Sequence, residues 1–406
     1  MGARGQRTQQ RILDAALQVF GEVGYHRCSI DRITTLAGCS RVSFYQYFSS
    51  KEDVFRHLAG QVARQLNAAA EELGTVTADA EGWANLRTWV ARHHEIYQRY
   101  EPVYEAFPAA AEADEAVAGG SVRAGVHTVA LVRARLVGTT VPTRQLDPVL
   151  HLLLECLSRS EDMAGILRSV ADGAYPPDRM ADAVTDVFHR TLFGLLPEVN
   201  VQSHPKRRPP SLRFGDEMLG VLLDDADDPE LTAAGRRTLD ALLEAGSDVL
   251  IRRGYHRTRV DDVVSAAGVS HGAFYRYFDN KEALARVLAM RAIRRVSLAF
   301  TEIPASPETD LRAWLRRYRE ALTTEAAIIR VWAEASFEDA GLAADSAATY
   351  DWGRRQLVRF LAPRGFGDVD REAVIMLAVL GTFGGRTVVT GVEPAALTIE
   401  RWLLGQ

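Results

Sequence analysis

The chain has 406 residues, a formal net charge of −5, 47% hydrophobic residues and 25% charged residues. That composition excludes a wholly disordered chain, which combines low hydrophobicity with high net charge, and a uniformly basic packaging protein. It leaves room for two domains or more, and for nucleic-acid binding through a local basic face. Three cysteines, Cys28, Cys39 and Cys156, are too few for a disulfide scaffold, and no Cys-x-x-Cys pair suggests a structural metal. The first residues, MGARGQRTQQ, lack the apolar core of a secretory signal. The longest apolar runs, such as AVIMLAVLG at 373–381, are too short for a bilayer. A cytoplasmic protein with no membrane contact, no metal and no cofactor is therefore expected.

An internal repeat organises the chain. Residues 25–59 and 255–289 align without a gap at an offset of 230, with 16 of 35 positions identical. Only three of 48 basic residues are lysine (Lys51, Lys206 and Lys281), and two of those three occupy equivalent repeat positions.

Taken in chain order, each repeat predicts three short helices and the start of a fourth. Ile12, Leu13, Ala16, Val19 and Phe20 follow the helical period and end at Gly21 to Gly24. Ser29 is an N-cap candidate for a helix carrying Ile30, Ile33 and Ala37, which Gly38 (Gly268 in the copy) closes in a left-handed turn. Ser40 and Ser270 would cap the third helix. SSKE at 49–52 and DNKE at 279–282 read as capping boxes on Ser49 and Asp279 that open the fourth. Residues 61–197 continue with helical periodicity, with breaks expected at Gly74, Pro108, Gly119-Gly120, Pro142 and Pro176-Pro177. A polar, Pro-rich stretch containing PKRRPP then reads as a linker, followed by the apolar LRFGDEMLGVLL at 212–223. The expected division is a first head at 1–60, a first helical body at 61–197, a linker at 198–230, a second head at 231–290 and a second body at 291–406.

Helix, three-residue turn ending in Ser, helix is the geometry of a helix-turn-helix. The strings AGCSRVSFYQYFSSKEDVF and AGVSHGAFYRYFDNKEAL resemble the DNA-binding head of the TetR family of transcription regulators. The resemblance covers about 60 residues in each half and departs from the usual pattern at Val42 and Ser43. It implies an all-α fold of two TetR-like units in one chain, packed as an internal pseudo-dimer, each with a head and a helical body for effector binding and dimerisation. It also implies a repressor of transcription, not an enzyme, and in its two heads it resembles the double-headed members known from actinobacteria.

The residues themselves indicate how DNA would be read. Phe44 and Phe48, like Phe274 and Phe278, are spaced i, i+4 and form the inner face of the recognition segment. That leaves Arg41, Ser43, Tyr45 and Gln46 outward in head one, and His271, Ala273, Tyr275 and Arg276 in head two. Arg suits guanine and Gln suits adenine, while the Tyr45, Tyr47, Tyr275 and Tyr277 hydroxyls suit phosphates. Solvated surface side chains remain the competing reading of the base readers, and edge packing that of Tyr45 and Tyr275. Lys51 and Lys281 sit in a helix's first turn, where the dipole disfavours a cation unless an anion such as phosphate is adjacent; the resemblance also implies a phosphate contact there. Ser29, Arg259, Ser40 and Ser270 complete the candidate DNA-facing set. Residues 1–60 carry 8 basic and 5 acidic side chains and residues 231–290 carry 9 and 7, so the heads are +3 and +2 in a chain of −5.

Because the heads differ at outer positions, an operator with two unequal half-sites is expected, read by one chain, the alternative being a homodimer with four heads. A helical scaffold whose heads have lost DNA affinity is the competing function. For a small, apolar effector, the candidate pocket residues are Trp83, Trp89, Tyr97, Tyr104, Phe107, Trp314, Tyr318 and Trp332, with helical core as the competing reading for each.

Overall fold

Apolar residues at helical spacing produce sixteen α-helices among the described residues, and β pairing there is limited to an isolated bridge between Val76 and Leu136. The structure is a computed structural model that describes residues 2–168, 175–194, 196, 232–304, 307–336, 340–364, 368–384 and 391–404. The linker expected at 198–230, with its PKRRPP cluster and the 212–223 segment, lies outside the described residues, as do residues 385–390. No described helix is long and apolar enough to cross a membrane.

The chain forms two compact units. One comprises Met1–Glu161, Pro177–Val201 and Leu404–Gln406, the other Asp162–Pro176 and Gln202–Leu403. In the first unit, α1 (Ala3–Arg27), α2 (Ile30–Ala37), α3 (Arg41–Tyr45) and α4 (Lys51–Glu71) build head one. The body follows as α5 (Ala80–Ala113), α6 (Glu115–Arg133), α7 (Thr143–Arg168) as far as Glu161, and α8 (Pro177–Phe193). In the second unit, α9 (Ala233–Arg253), α10 (Val260–Ala267), α11 (His271–Tyr277) and α12 (Lys281–Thr301) repeat the head. Its body is α13 (Pro307–Ser336), α14 (Ala340–Leu361), α15 (Val369–Gly381) and α16 (Val392–Leu404).

Local signals account for most helix ends. Gly24 and Gly254 take φ of 75°, a left-handed region that costs glycine little, and there the first helix of each head turns away. Gly38 and Gly268 close α2 and α10 with φ of 61° and 66°. The expected capping boxes shift by one residue. Ser50 caps α4 by accepting from the Asp53 N–H at 3.2 Å, while the Asp53 carboxylate accepts from the Ser49 N–H at 2.9 Å. Asn280 caps α12 by accepting from the Ala283 N–H at 2.7 Å, and Ala283 has no side chain with which to reciprocate.

Two expected breaks do not occur. Helix α5 runs through Pro102 and Pro108, with a single irregular residue at Tyr100, and α6 runs through Gly119 and Gly120. The break falls instead at Asp114, whose extended backbone ends α5 and whose carboxylate accepts from the Ala116 N–H at 2.9 Å to start α6. A cap that satisfies orphan N–H groups outweighs a glycine pair that tertiary packing holds helical.

The head–body boundaries expected at 60/61 and 290/291 fall inside the continuous helices α4 and α12. Each of these helices starts in its head and packs onto its body, α4 on α5 and α6, α12 on α13 and α14. A continuous helix carries any displacement of the body directly to the head.

Candidate nucleic-acid interface

Three groups fix the ends of α2 and the start of α3. The Ser29 hydroxyl accepts from the Arg32 N–H at 3.3 Å, Gly38 reverses the chain, and the Ser40 hydroxyl accepts from the Ser43 N–H at 3.1 Å. In head two, Ser270 caps α11 through the Ala273 N–H at 3.2 Å. Arg259 replaces the first serine. A guanidinium has no acceptor and cannot cap the helix N–H groups as Ser29 does; the Asp262 carboxylate instead accepts from the N–H of Arg259 itself at 3.0 Å, and the guanidinium is exposed. Ser29, Ser40 and Ser270 therefore hold the motif together through their hydroxyl oxygens, and each hydroxyl proton is left to donate to a phosphate.

Phe44 and Phe274 are fully buried beneath their helices, and each stacks obliquely on the next turn, Phe44 on Phe48 at 5.8 Å and Phe274 on Phe278 at 5.5 Å. The opposite face presents Arg41, Tyr45 and Gln46 to solvent in head one and His271, Tyr275 and Arg276 in head two, while Ser43 and Ala273 are half-buried. Sequence reasoning missed Val42, which is 73% exposed on the same face. It lies two positions before Phe44, about 200° around the helix from the buried ring, and that spacing was a sufficient signal.

The outermost reader in each head is held by the preceding helix. Arg41 Nη1 contacts both carboxylate oxygens of Asp31, at 2.9 and 3.2 Å, and His271 Nε2 lies 3.3 Å from Asp261. Asp31 and Asp261 are equivalent repeat positions. Exposed pairs of this kind contribute less than about 1 kcal/mol, so a guanine edge can displace the carboxylate.

Lys51 and Lys281 resolve their conflict with the helix dipole inside the protein. Lys51 Nζ donates to the Tyr25 carbonyl at 2.9 Å and lies 4.3 Å from the centre of the Tyr25 ring. Lys281 does the same with Tyr255, at 2.9 and 4.1 Å. Carbonyl and ring face supply the negative partner that sequence reasoning assigned to phosphate. Lys51→Met keeps the stem and deletes the donor; it is expected to lower the urea stability of head one by about 1–3 kcal/mol without DNA present. A stability equal to wild type would return the lysine to a purely DNA-facing role. Tyr277 is also partly committed, since its half-buried hydroxyl donates to the Gly235 carbonyl at 3.0 Å. Tyr47 is half-buried at the equivalent position.

Each head is tied to its own body by equivalent arginines, Arg56 to Asp114 at 2.7 Å and Arg286 to Asp345 at 2.9 Å.

The structure disperses the aromatic pocket candidates. In the first unit, Trp83 donates its indole N–H to Asp186 at 2.8 Å, and burial raises that carboxyl's pKa against the pull of the hydrogen bond. Tyr97 and Tyr104 pack with ring centres 4.8 Å apart, Trp89 is buried and Phe107 half-buried. On the same helix, His94 Nδ1 lies 2.8 Å from Glu161, both buried. In the second unit the candidates are buried. Trp314 stacks on Tyr318 at 5.6 Å against Phe300, and Trp332 belongs to one cluster with Phe274 and Phe278 beneath head two. A cleft of about 370 Å³ in that unit is lined by charged side chains, among them Arg295, Glu302, Arg317 and Glu325, and by none of the eight candidates.

Residues 12–58 and 242–288 each match the family described as bacterial regulatory proteins, tetR family. The chain is also similar to the HTH-type transcriptional repressor NicS of Pseudomonas putida, 35% identical over 102 residues, which are 24% of this chain and 47% of that protein. It resembles the HTH-type transcriptional repressor AcnR of Corynebacterium diphtheriae at 31% over 90 residues, 22% of this chain and 47% of the relative. The fatty acid metabolism regulator protein of Bacillus subtilis matches at 33% over 69 residues, 16% and 36% of the two chains. Each similarity thus spans less than half the length of the relative.

Proposed function

We propose that this chain, which matches the head of the bacterial regulatory proteins, tetR family, at residues 12–58 and 242–288, is a sequence-specific transcription repressor in which one chain reads two unlike half-sites. The observation that carries the proposal is a pair of heads with the same helix order and inner face but different exposed faces. The same Gly turn, the equivalent Ser40 and Ser270 caps and the buried phenylalanines hold Arg41, Val42 and Gln46 outward in one head, and His271, Gly272 and Arg276 in the other. Conservation of scaffold with divergence of the reading face is what an asymmetric operator demands of a covalent pair of heads. Tyr45, Tyr275 and Arg259 are proposed to sit at the flanking phosphates, with Lys51 and Lys281 offering there only the ammonium protons that the Tyr25 and Tyr255 carbonyls leave over.

Random-sequence selection followed by footprinting at two salt concentrations tests this. The expected result is two protected patches of unequal sequence, weakening steeply with salt as phosphate contacts predict. Selection of perfect palindromes only would reject the asymmetric reading, and selection of nothing would reject DNA binding. Within such an operator, Arg276→Ala should lower affinity about 5- to 150-fold and relax preference only in the head-two half-site. Gln46→Ala should act only in the other half, as read by competition binding with half-site variants.

A small effector is proposed to act through the first body. Support comes from its Tyr97–Tyr104 pair and Trp89 on α5, with the pair of His94 on the same helix and Glu161 on α7 as a polar anchor. Helix α4 and the Arg56–Asp114 pair provide the mechanical link to head one, so a ligand that favours a displaced α4 would release DNA.

A further inference from the structure

We infer that Val42 is a specificity-determining residue of head one and reads the C5-methyl group of a thymine in the major groove; the inference rests on the DNA-binding reading above. Val42 is 73% exposed on the face of α3 that also presents Arg41, Tyr45 and Gln46. Folding does not require an apolar side chain there. The equivalent residue of head two is Gly272, in the same turn, behind the same Ser cap and above the same buried phenylalanine. A β-branched residue that is 73% exposed in a five-residue helix gains little burial and has a lower helix propensity than alanine. Its methyl groups gain a partner only when a surface meets that face.

A base-pair edge offers a single apolar feature in the major groove, the thymine methyl. Hydrogen-bonding groups on the same edge would be desolvated against valine without compensation, so Val42 selects for thymine and against cytosine at its position. Gln46, four residues on, lies on the same helical face and suits adenine. Head one is therefore built for an A·T-rich half-site. Head two, with Gly272 and Arg276, has no methyl reader at this position and a guanine reader at the other.

The test replaces each thymine of the head-one half-site, one at a time, by deoxyuridine, which removes the methyl and leaves every hydrogen-bonding group. That half-site is the one whose preference is lost in Gln46→Ala. Full-length wild type should lose about fourfold in affinity at one position, the worth of one buried carbon. Val42→Ala, which preserves the helix, should bind the thymine operator about as weakly as wild type binds the deoxyuridine one, and should be indifferent to the replacement at that position. Val42→Thr, which keeps one methyl and the shape, should retain part of the sensitivity. Equal deoxyuridine losses in wild type and Val42→Ala at every position would overturn the inference, as would a head-one half-site insensitive to all replacements. If the chain binds operator DNA in those experiments, the regulator reading survives and only the role of Val42 falls. Failure to bind any selected DNA removes both.

Discussion

Phe44→Ala is expected to destabilise head one by about 3–5 kcal/mol and to erase one half of the footprint while leaving the other intact. The ring is fully buried, sits 5.8 Å from Phe48 and meets the Tyr45 ring edge-on at 5.5 Å. Helix α3 has only five residues. A helix that short has no stability of its own in water, so its orientation depends on what its buried side holds. Phe44 is that anchor, and without it Arg41, Val42 and Gln46 have no fixed direction. The loss is a large fraction of the 5–15 kcal/mol typical of a folded domain. Phe274→Ala should mirror the result in the other half-site, with the added damage that Phe274 shares its cluster with Trp332 on α13, so body two loosens as well. Footprints of the two variants beside wild type, with urea unfolding of each, decide the matter. A Phe44→Ala protein that protects both half-sites like wild type would refute the assignment of α3 as the reading element.

Acidification should destabilise the first unit through His93. Burial, with His94 beside it, pushes its pKa from 6.5 down to about 4. The native state therefore holds the imidazole neutral where the unfolded chain protonates it. Between pH 6.5 and 4 the unfolded state binds the additional proton, so stability falls as pH falls through that window and levels off below it. At 1.36 kcal/mol per pKa unit, the loss is on the order of 3 kcal/mol. His93→Leu removes the titrating group and should flatten the profile. The measurement is urea stability from pH 7.5 to 4.5 for both proteins. Parallel profiles would show that His93 does not carry the acid sensitivity.

The reading of head one shows how much of the site was local. Ser29, Gly38 and Ser40 act within a few residues of their partners, and the i, i+4 phenylalanines state which side of α3 is inside. Such interactions depend on sequence spacing alone, and so they are legible before any fold is known. The same rule places Val42 outward, two positions before the buried Phe44. The lysines illustrate the opposite case. Lys51 is 26 residues from Tyr25, and no periodicity connects them. Only the packing of α4 against α1 brings ammonium, carbonyl and ring together.

The bodies were legible as helices and little more. Pro108 and the Gly119-Gly120 pair read as breaks because propensity favours breaking there, yet the tertiary structure keeps them helical and breaks at Asp114 instead. Arg354 is buried with Asp351 three residues before it, and Asp370 from α15 completes the group. That polar core could not be inferred from spacing, since a buried charge is tolerated only where distant partners converge on it. The sequence by itself determined the all-helical class, the twofold repeat, the helix-turn-helix heads and their inner faces, because caps, turns and helical periodicity are short-range. The tertiary structure alone decided which cations are already partnered, which aromatics are packing residues and how head joins body, because those depend on contacts between segments that the chain separates by tens of residues.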